Sequence, residues 1–327
     1  MTGPRLKLLL RAAVSLGLIA LVIRKVDWTE LGTLLLRLDL RWASLASILT
    51  PALIVGLAWR WSIFLRQQQI QLPWRTTLSL TWTGLFFNSC LPGSTGGDIV
   101  KIFQLCHLRP NARAAAAGSV IADRASALFA LSLLAVIAFV IEPAPLRLLA
   151  RNRPEAKTIV AVAVMVMLAG FVFLRAFRHH RWLARGARVL AVFGRALMPS
   201  RALAMAFLLA LSIHLLNFLI IYFFARALEI NISYAQVLLM MPVILFAVLL
   251  PVTINGHGLR ELLLIGYFDY LGIGMLGDVQ PGVQGMAVAL SLLLAVNDLL
   301  WVLPGGIWHF WLSRSWNNKN SCAPAQI

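Results

Sequence analysis

Asp98 and Lys101, Asp123 and Arg124, and Arg260 and Glu261 are charged residues set into surroundings that are otherwise almost wholly apolar. Asp98 and Lys101 have the spacing that puts two side chains on one face of a helix. The first and last of these pairs follow Gly-rich breaks, LPGSTGGD at Leu91–Asp98 and INGHGLRE at Ile254–Glu261. Pro92 and Gly93 end an apolar run, because Pro carries no amide hydrogen and Gly takes backbone angles that other residues avoid. Ser94 and Thr95 can cap a new helix, and Gly96 and Gly97 let another backbone or a ligand come close. A helix beginning there presents free N–H groups and the positive end of its dipole, which suits a phosphate. Asp98 counts against a bare anion site, and for a cation partner or a carboxylate that accepts a proton. In the second break Pro251, Asn255, Gly256 and Gly258 interrupt the chain before Arg260 and Glu261 open the next helix. Arg260 offers planar, bidentate hydrogen bonds to phosphate or carboxylate and is the first choice for an anion contact.

The surroundings give these residues their meaning. The chain has 327 residues, of which 60% are hydrophobic and only 13% charged, and its mean hydropathy is +0.83. Soluble domains carry about 25% charged residues, so the chain reads as an integral membrane protein. Its net charge of +17 would point to nucleic acid in a soluble protein; here it reads as loop charge facing anionic lipid headgroups, and no nucleic-acid partner is expected. An ionisable residue within a membrane segment costs ~2.5–3.5 kcal/mol on insertion scales, so Asp123 and Arg124 should face a cavity or a partner. Asp298, beside Asn297, is the matching oddity near the other end of the chain. Arg60, His214 and Asn217 are weaker cases, and Arg60, close to a span end, is expected to snorkel to the interface. The plain alternative is an internal salt-bridge network among Asp98, Asp123, Glu261 and Asp298; for Arg124 and Arg260 substrate contact is favoured.

The elements that must position these groups are apolar helices. Runs near the ~20 residues needed to cross a bilayer occur at roughly 43–65, 116–141, 158–175, 202–228 and 283–312, with a shorter one at 7–23. Two more, 77–91 and 235–253, lead into the Gly-rich breaks. Trp28, Trp42, Trp59, Trp61, Trp308 and Trp311 fall near span ends, where aromatic belts form. Arg5, Lys7 and Arg11 precede the first run, and with no small-residue cleavage site after it an uncleaved signal anchor is expected. Residues 175–201 hold seven Arg and two His with no acidic residue, so that linker should be cytoplasmic, either an amphipathic helix on the inner leaflet or a plain connection.

Eight full spans would put the basic N-terminus outside. Six spans plus two re-entrant hairpins, 77–106 and 235–272, place both termini, 66–76, 107–115 and 175–201 inside, with 24–42 and 228–234 outside. The basic outer loop 142–157 fits less well. The expected fold is therefore an all-α polytopic membrane protein forming one transmembrane domain over 1–327. Half one (about 43–141) and half two (about 202–312) would form an inverted-topology repeat, as in many secondary transporters.

Several chemistries find no support in the residues. The six histidines have no metal-ligand spacing, no phosphate-loop or dinucleotide fingerprint occurs, and no nucleophile elbow or acid–base pair is recognisable. No catalytic residue, metal or cofactor is expected. Cys90, Cys106 and Cys322 have no pattern of a disulfide framework.

LPGSTGGDIVK at 91–101, SVIADRASAL at 119–128, PVTINGHGLRE at 251–261 and LPGG at 303–306 together resemble the family named for the transmembrane region of lysylphosphatidylglycerol synthase, the flippase-like membrane proteins. The resemblance implies a multi-pass protein of the bacterial cytoplasmic (inner) membrane that moves, or helps move, a lipid between leaflets. In the family's namesake a soluble aminoacyl-transferase domain follows; the sequence to Ile327 shows none, so aminoacylation is not expected. The leading reading is a lipid flippase for a phospholipid, glycolipid or isoprenoid lipid, with an anionic headgroup held by Arg124, Arg260 and Lys101 near Asp98, Asp123, Glu261, Asn255, Gly96, Gly97, Gly256 and Gly258. Two other readings are a membrane-embedded headgroup transferase and a non-catalytic subunit that partners an enzyme of envelope-lipid synthesis.

Overall fold

A computed structural model describes residues 28–90, 96–141, 201–249, 259–274 and 282–320. The runs at 7–23 and 158–175, the basic linker up to residue 200 and the segment 142–157, expected as an outer loop, lie outside the described residues. Within them the chain forms α1 (Trp28–Leu36), α2 (Leu40–Gln67), α3 (Trp74–Cys90), α4 (Gly96–Leu108), α5 (Arg113–Ile141), α6 (Arg201–Ala227), α7 (Tyr234–Leu249), α8 (Leu259–Leu271) and α9 (Val283–Asn320). Helices α2, α5, α6 and the Val283–Ile307 part of α9 are long and apolar enough to cross a membrane. Their positions match four of the expected runs. The segment around 28–36, expected as part of an outer loop, is instead helical. Its apolar residues Leu31 and Leu34 share a face and are buried, and the helix packs on α9.

Local chemistry sets the helix ends. The Asp39 carboxylate accepts from the Arg41 N–H at 2.8 Å to start α2. Ser233 and Gln236 form a reciprocal capping box at the start of α7: the Gln236 N–H donates to Ser233 Oγ and the Ser233 N–H to Gln236 Oε1. Helices α2 and α6 stop in the same way. Gln69 and Glu229 take φ of 59° and 57°, and the following residues, Ile70 and Ile230, donate back to Leu65 and Ala225 at 2.9 and 3.0 Å.

That matched ending belongs to a larger repetition. Helices α2 to α5 contain 28, 17, 13 and 29 residues, and α6 to α8 contain 27, 16 and 13 before the long α9. The packing repeats too. Helix α3 lies on α9 while α7 lies on α5; α4 packs on α3 and α5 while α8 packs on α7 and α9; and α2 packs on α6. Helices α2 and α6 run antiparallel: the Asp39 N–H donates to the Ala227 carbonyl at 2.9 Å, Trp42 meets Phe223, a Cβ on Gly56 would touch Ile213, and Phe64 clusters with Ala206. Helices α2 and α6 thus point in opposite directions along their whole contact. Small residues at this seam (Ala46, Ala58, Ala206 and Ala210, all fully buried) let the backbones approach, which is how helices associate where lipid removes the hydrophobic drive.

Two glycine positions mark close helix crossings on α3. A Cβ on Gly97 would collide with the Gly84 carbonyl, so the first break brings α4 against the backbone of α3. A Cβ on Gly305 would lie 2.6 Å from the Trp82 carbonyl oxygen, so the LPGG segment is a close crossing of α9 and α3. The Trp82 indole N–H completes that crossing by donating to the Trp301 carbonyl at 2.6 Å.

Candidate functional site

The first group of charges gathers where α2, α4 and α5 meet. Helix α4 starts at Gly96, and the Asn88 side-chain carbonyl accepts from the Gly97 N–H at 2.7 Å, satisfying one of the free donors of the first turn. One residue on, Asp98 enters the interior and accepts two hydrogen bonds from Arg124 of α5, from Nε at 2.6 Å and from Nη2 at 3.0 Å. An acid in the first turn also suits the helix dipole. Its neighbour on α5, Asp123, faces α2 and accepts from Arg60 Nε at 2.7 Å and Nη2 at 3.2 Å. The side chains of Arg60 and Asp123 are 4% and 9% exposed, whereas Arg124 is 43% exposed. The two fork-shaped pairs are alike in geometry, but only one opens outward.

Lys101 completes the group from α4. Its stem runs along Gly84 of α3, it is 7% exposed, and its Nζ stands 5.0 Å from the centroid of the Trp61 ring. Trp61 is held by its indole N–H, which donates to Ser119 Oγ at 3.3 Å. With every group ionised, the cluster holds three cations (Arg60, Lys101, Arg124) and two anions (Asp98, Asp123).

The second group lies between α8 and α9. Glu261 holds the third position of α8, as Asp98 does in α4. Arg260 donates from Nε to Ser291 Oγ and from Nη2 to the Ser291 carbonyl, both at 2.9 Å. Ser291 Oγ in turn donates a short hydrogen bond to Glu261 Oε1, and Arg260 Nη2 is 3.7 Å from the same oxygen. Each half therefore places a carboxylate at the start of its short helix, tied to the long helix that follows.

The sequence-predicted residues thus fall into two groups, each within its own half. Asp98, Lys101, Asp123 and Arg124 come together; Arg260 and Glu261 form the second group. Gly96 and Gly97 open α4, and Asn255, Gly256 and Gly258 lie outside the described residues. Asp298 sits on the exposed side of α9. Its buried neighbour Asn297 faces inward and donates to Thr50 Oγ1 at 3.0 Å, beside a Trp301-to-Ser47 bond of 2.9 Å.

Arg60 overturns its expectation. It does not snorkel; burial and Asp123 hold it inside. Trp61 likewise belongs to the interior rather than to an aromatic belt, being fully buried. Ser119 and Ser291 were not foreseen; a Ser inside an apolar helix gives no signal until its partner is known. Among the described residues, no group of three or more His, Cys, Asp or Glu side chains could hold a metal ion.

Four helices long and apolar enough to cross a membrane, two of them joined by a buried ion pair, define a multi-pass α-helical membrane protein. A model of the family described as the lysylphosphatidylglycerol synthase TM region matches residues 8–277. The chain belongs to that family, which points to a function connected with membrane lipids. A search of curated proteins found no match.

Proposed function

We propose that this protein is a flippase that carries a lipid with an anionic headgroup between the leaflets of the bacterial cytoplasmic membrane, with both termini cytoplasmic. The observation that carries the reading is Arg124. Its guanidinium is oriented by Asp98 yet remains 43% exposed, beside the first turn of an interrupted helix. An arginine held by one carboxylate, with donors still open, is a ready contact for a phosphate. Lys101 adds a second cation behind it, and Arg260 offers the corresponding group in the other half.

Interrupted helices in opposed repeats are a frequent transporter architecture, with binding sites near the repeat interface. In this reading the segments 77–106 and 235–272 are re-entrant. The headgroup passes along the polar groups while the acyl chains stay in lipid, and the two halves rock to open the path alternately to either leaflet.

The test is translocation of fluorescent phosphatidylglycerol in proteoliposomes, read by dithionite quenching. Arg124→Ala and Arg260→Ala should each stop translocation while the protein still inserts and purifies. Wild-type rates in both variants would overturn the reading, as would a wild-type protein no faster than empty vesicles.

A further inference from the structure

We infer that Lys101 is the proton-carrying group of the first site, and that lipid movement is coupled to its protonation and deprotonation. The inference rests on the flippase reading and adds to it an energy source.

Lys101 differs from the other charges of the cluster in its bonding: Asp123 and Asp98 lie near enough to attract its charge, but each is bonded to an arginine instead. On α4, Asp98 is bound by both forks of Arg124. On α5, Asp123 is bound by both forks of Arg60 from α2. Helix α3 faces the lysine with Gly84, against which its stem lies, and α2 adds the Trp61 ring. His107, further along α4, is exposed. Among the described residues Lys101 shows no hydrogen bond or ion pair of its own, and its Nζ lies over the face of Trp61.

The sequence raised Asp98 as a proton acceptor, and Asp123 is the other carboxylate of the cluster. Protonating either would strip an arginine of its carboxylate, and breaking a buried pair from one side is strongly destabilising. Losing a proton from Lys101 breaks no pair and brings the five charges to neutrality. The site therefore has two self-consistent states. With Lys101 as ammonium, it carries one excess positive charge and can hold an anionic headgroup. With Lys101 as amine, it is balanced without one.

The step is a plain transfer: Nζ gives its proton to water on the side to which the site opens, and an Nζ–H bond re-forms with a proton from the other solution in the next cycle. No oxidant, nucleotide or metal takes part.

Two measurements test this. The first counts protons. Potentiometric titration of purified wild type and Lys101→Met in detergent, from about pH 6 to about pH 11, should show one more proton released by the wild type; equal counts overturn the inference whether or not the protein moves lipid. The second uses vesicles of phosphatidylethanolamine and phosphatidylglycerol carrying fluorescent phosphatidylglycerol. Wild-type translocation should change by about an order of magnitude with an imposed pH gradient. Lys101→Arg, which keeps the charge but does not give up its proton, should lose that response. A wild type that translocates without regard to the gradient, or an Arg variant that responds as wild type does, overturns the coupling while leaving the flippase reading standing.

Discussion

Arg60 and Asp123, sixty-three positions apart, form a bidentate pair that is more than nine-tenths buried and joins α2 to α5. Such a pair is a weak source of stability when intact and a severe liability when halved. Arg60→Ala or Asp123→Ala alone should lower stability by about 3–5 kcal/mol. The double variant Arg60→Met with Asp123→Leu should recover most of that loss. Thermal melts of detergent-purified protein measure both. If the double variant is stable yet no longer moves lipid, the pair is retained for the site it organises.

Gly97 offers a prediction that concerns shape alone. Its missing side chain leaves room for the Gly84 carbonyl, and the two short helices of the first break cross there. Gly97→Ala should destabilise by about 1–3 kcal/mol through forced separation of α3 and α4. Gly32 has nothing within 4 Å of a built Cβ, so Gly32→Ala should be neutral or stabilising by up to ~1 kcal/mol, since Ala is the better helix former. The same melts check both, and an equal effect at the two positions would remove the close crossing as the explanation.

The sequence made the long helices legible because a bilayer demands length and apolarity, and α2, α5, α6 and α9 supply both. It also showed the charges after each break, because Asp98, Lys101, Arg260 and Glu261 stand out from apolar neighbours. It did not show who holds whom. Arg60 sits in LAWRWS, near the end of a run, where snorkelling is the ordinary fate of an arginine; only the approach of α5 turns it inward. Asp98 and Asp123 look equivalent as acids, and only the three-dimensional pairing binds both to arginine and leaves Lys101 without a carboxylate of its own. Hydropathy and loop charge raised a repeat as an expectation only. The matched left-handed residues Gln69 and Glu229 that end α2 and α6 carry no glycine to announce them.

Arg124 tests the value of planar recognition. Arg124→Lys keeps the charge but gives up the fork that binds Asp98 and still faces outward. Charge-assisted hydrogen bonds contribute about 1.5–3 kcal/mol each, so capture of phosphatidylglycerol should weaken by about tenfold or more. Lipid phosphorus retained through purification, wild type against variant, gives the ratio. Equal retention would show that charge alone suffices there.

Ser291 distinguishes the two halves. In the first half Asp98 is bound directly by Arg124; in the second, a hydroxyl stands between Arg260 and Glu261, accepting from one and donating to the other. Removing it leaves the Ser291 carbonyl still bonded to Arg260 and lets the guanidinium close on the carboxylate from 3.7 Å. Ser291→Ala should therefore cost only about 1 kcal/mol in melting stability, while Ser291→Leu, which blocks the approach, should cost far more. Function should fall by far more than stability. A direct Arg260–Glu261 pair satisfies donors that a headgroup would otherwise meet, so Ser291→Ala should slow phosphatidylglycerol translocation well beyond what its small stability loss accounts for. Translocation as fast as wild type would mean that the second group holds α8 to α9 and takes no part in carrying lipid.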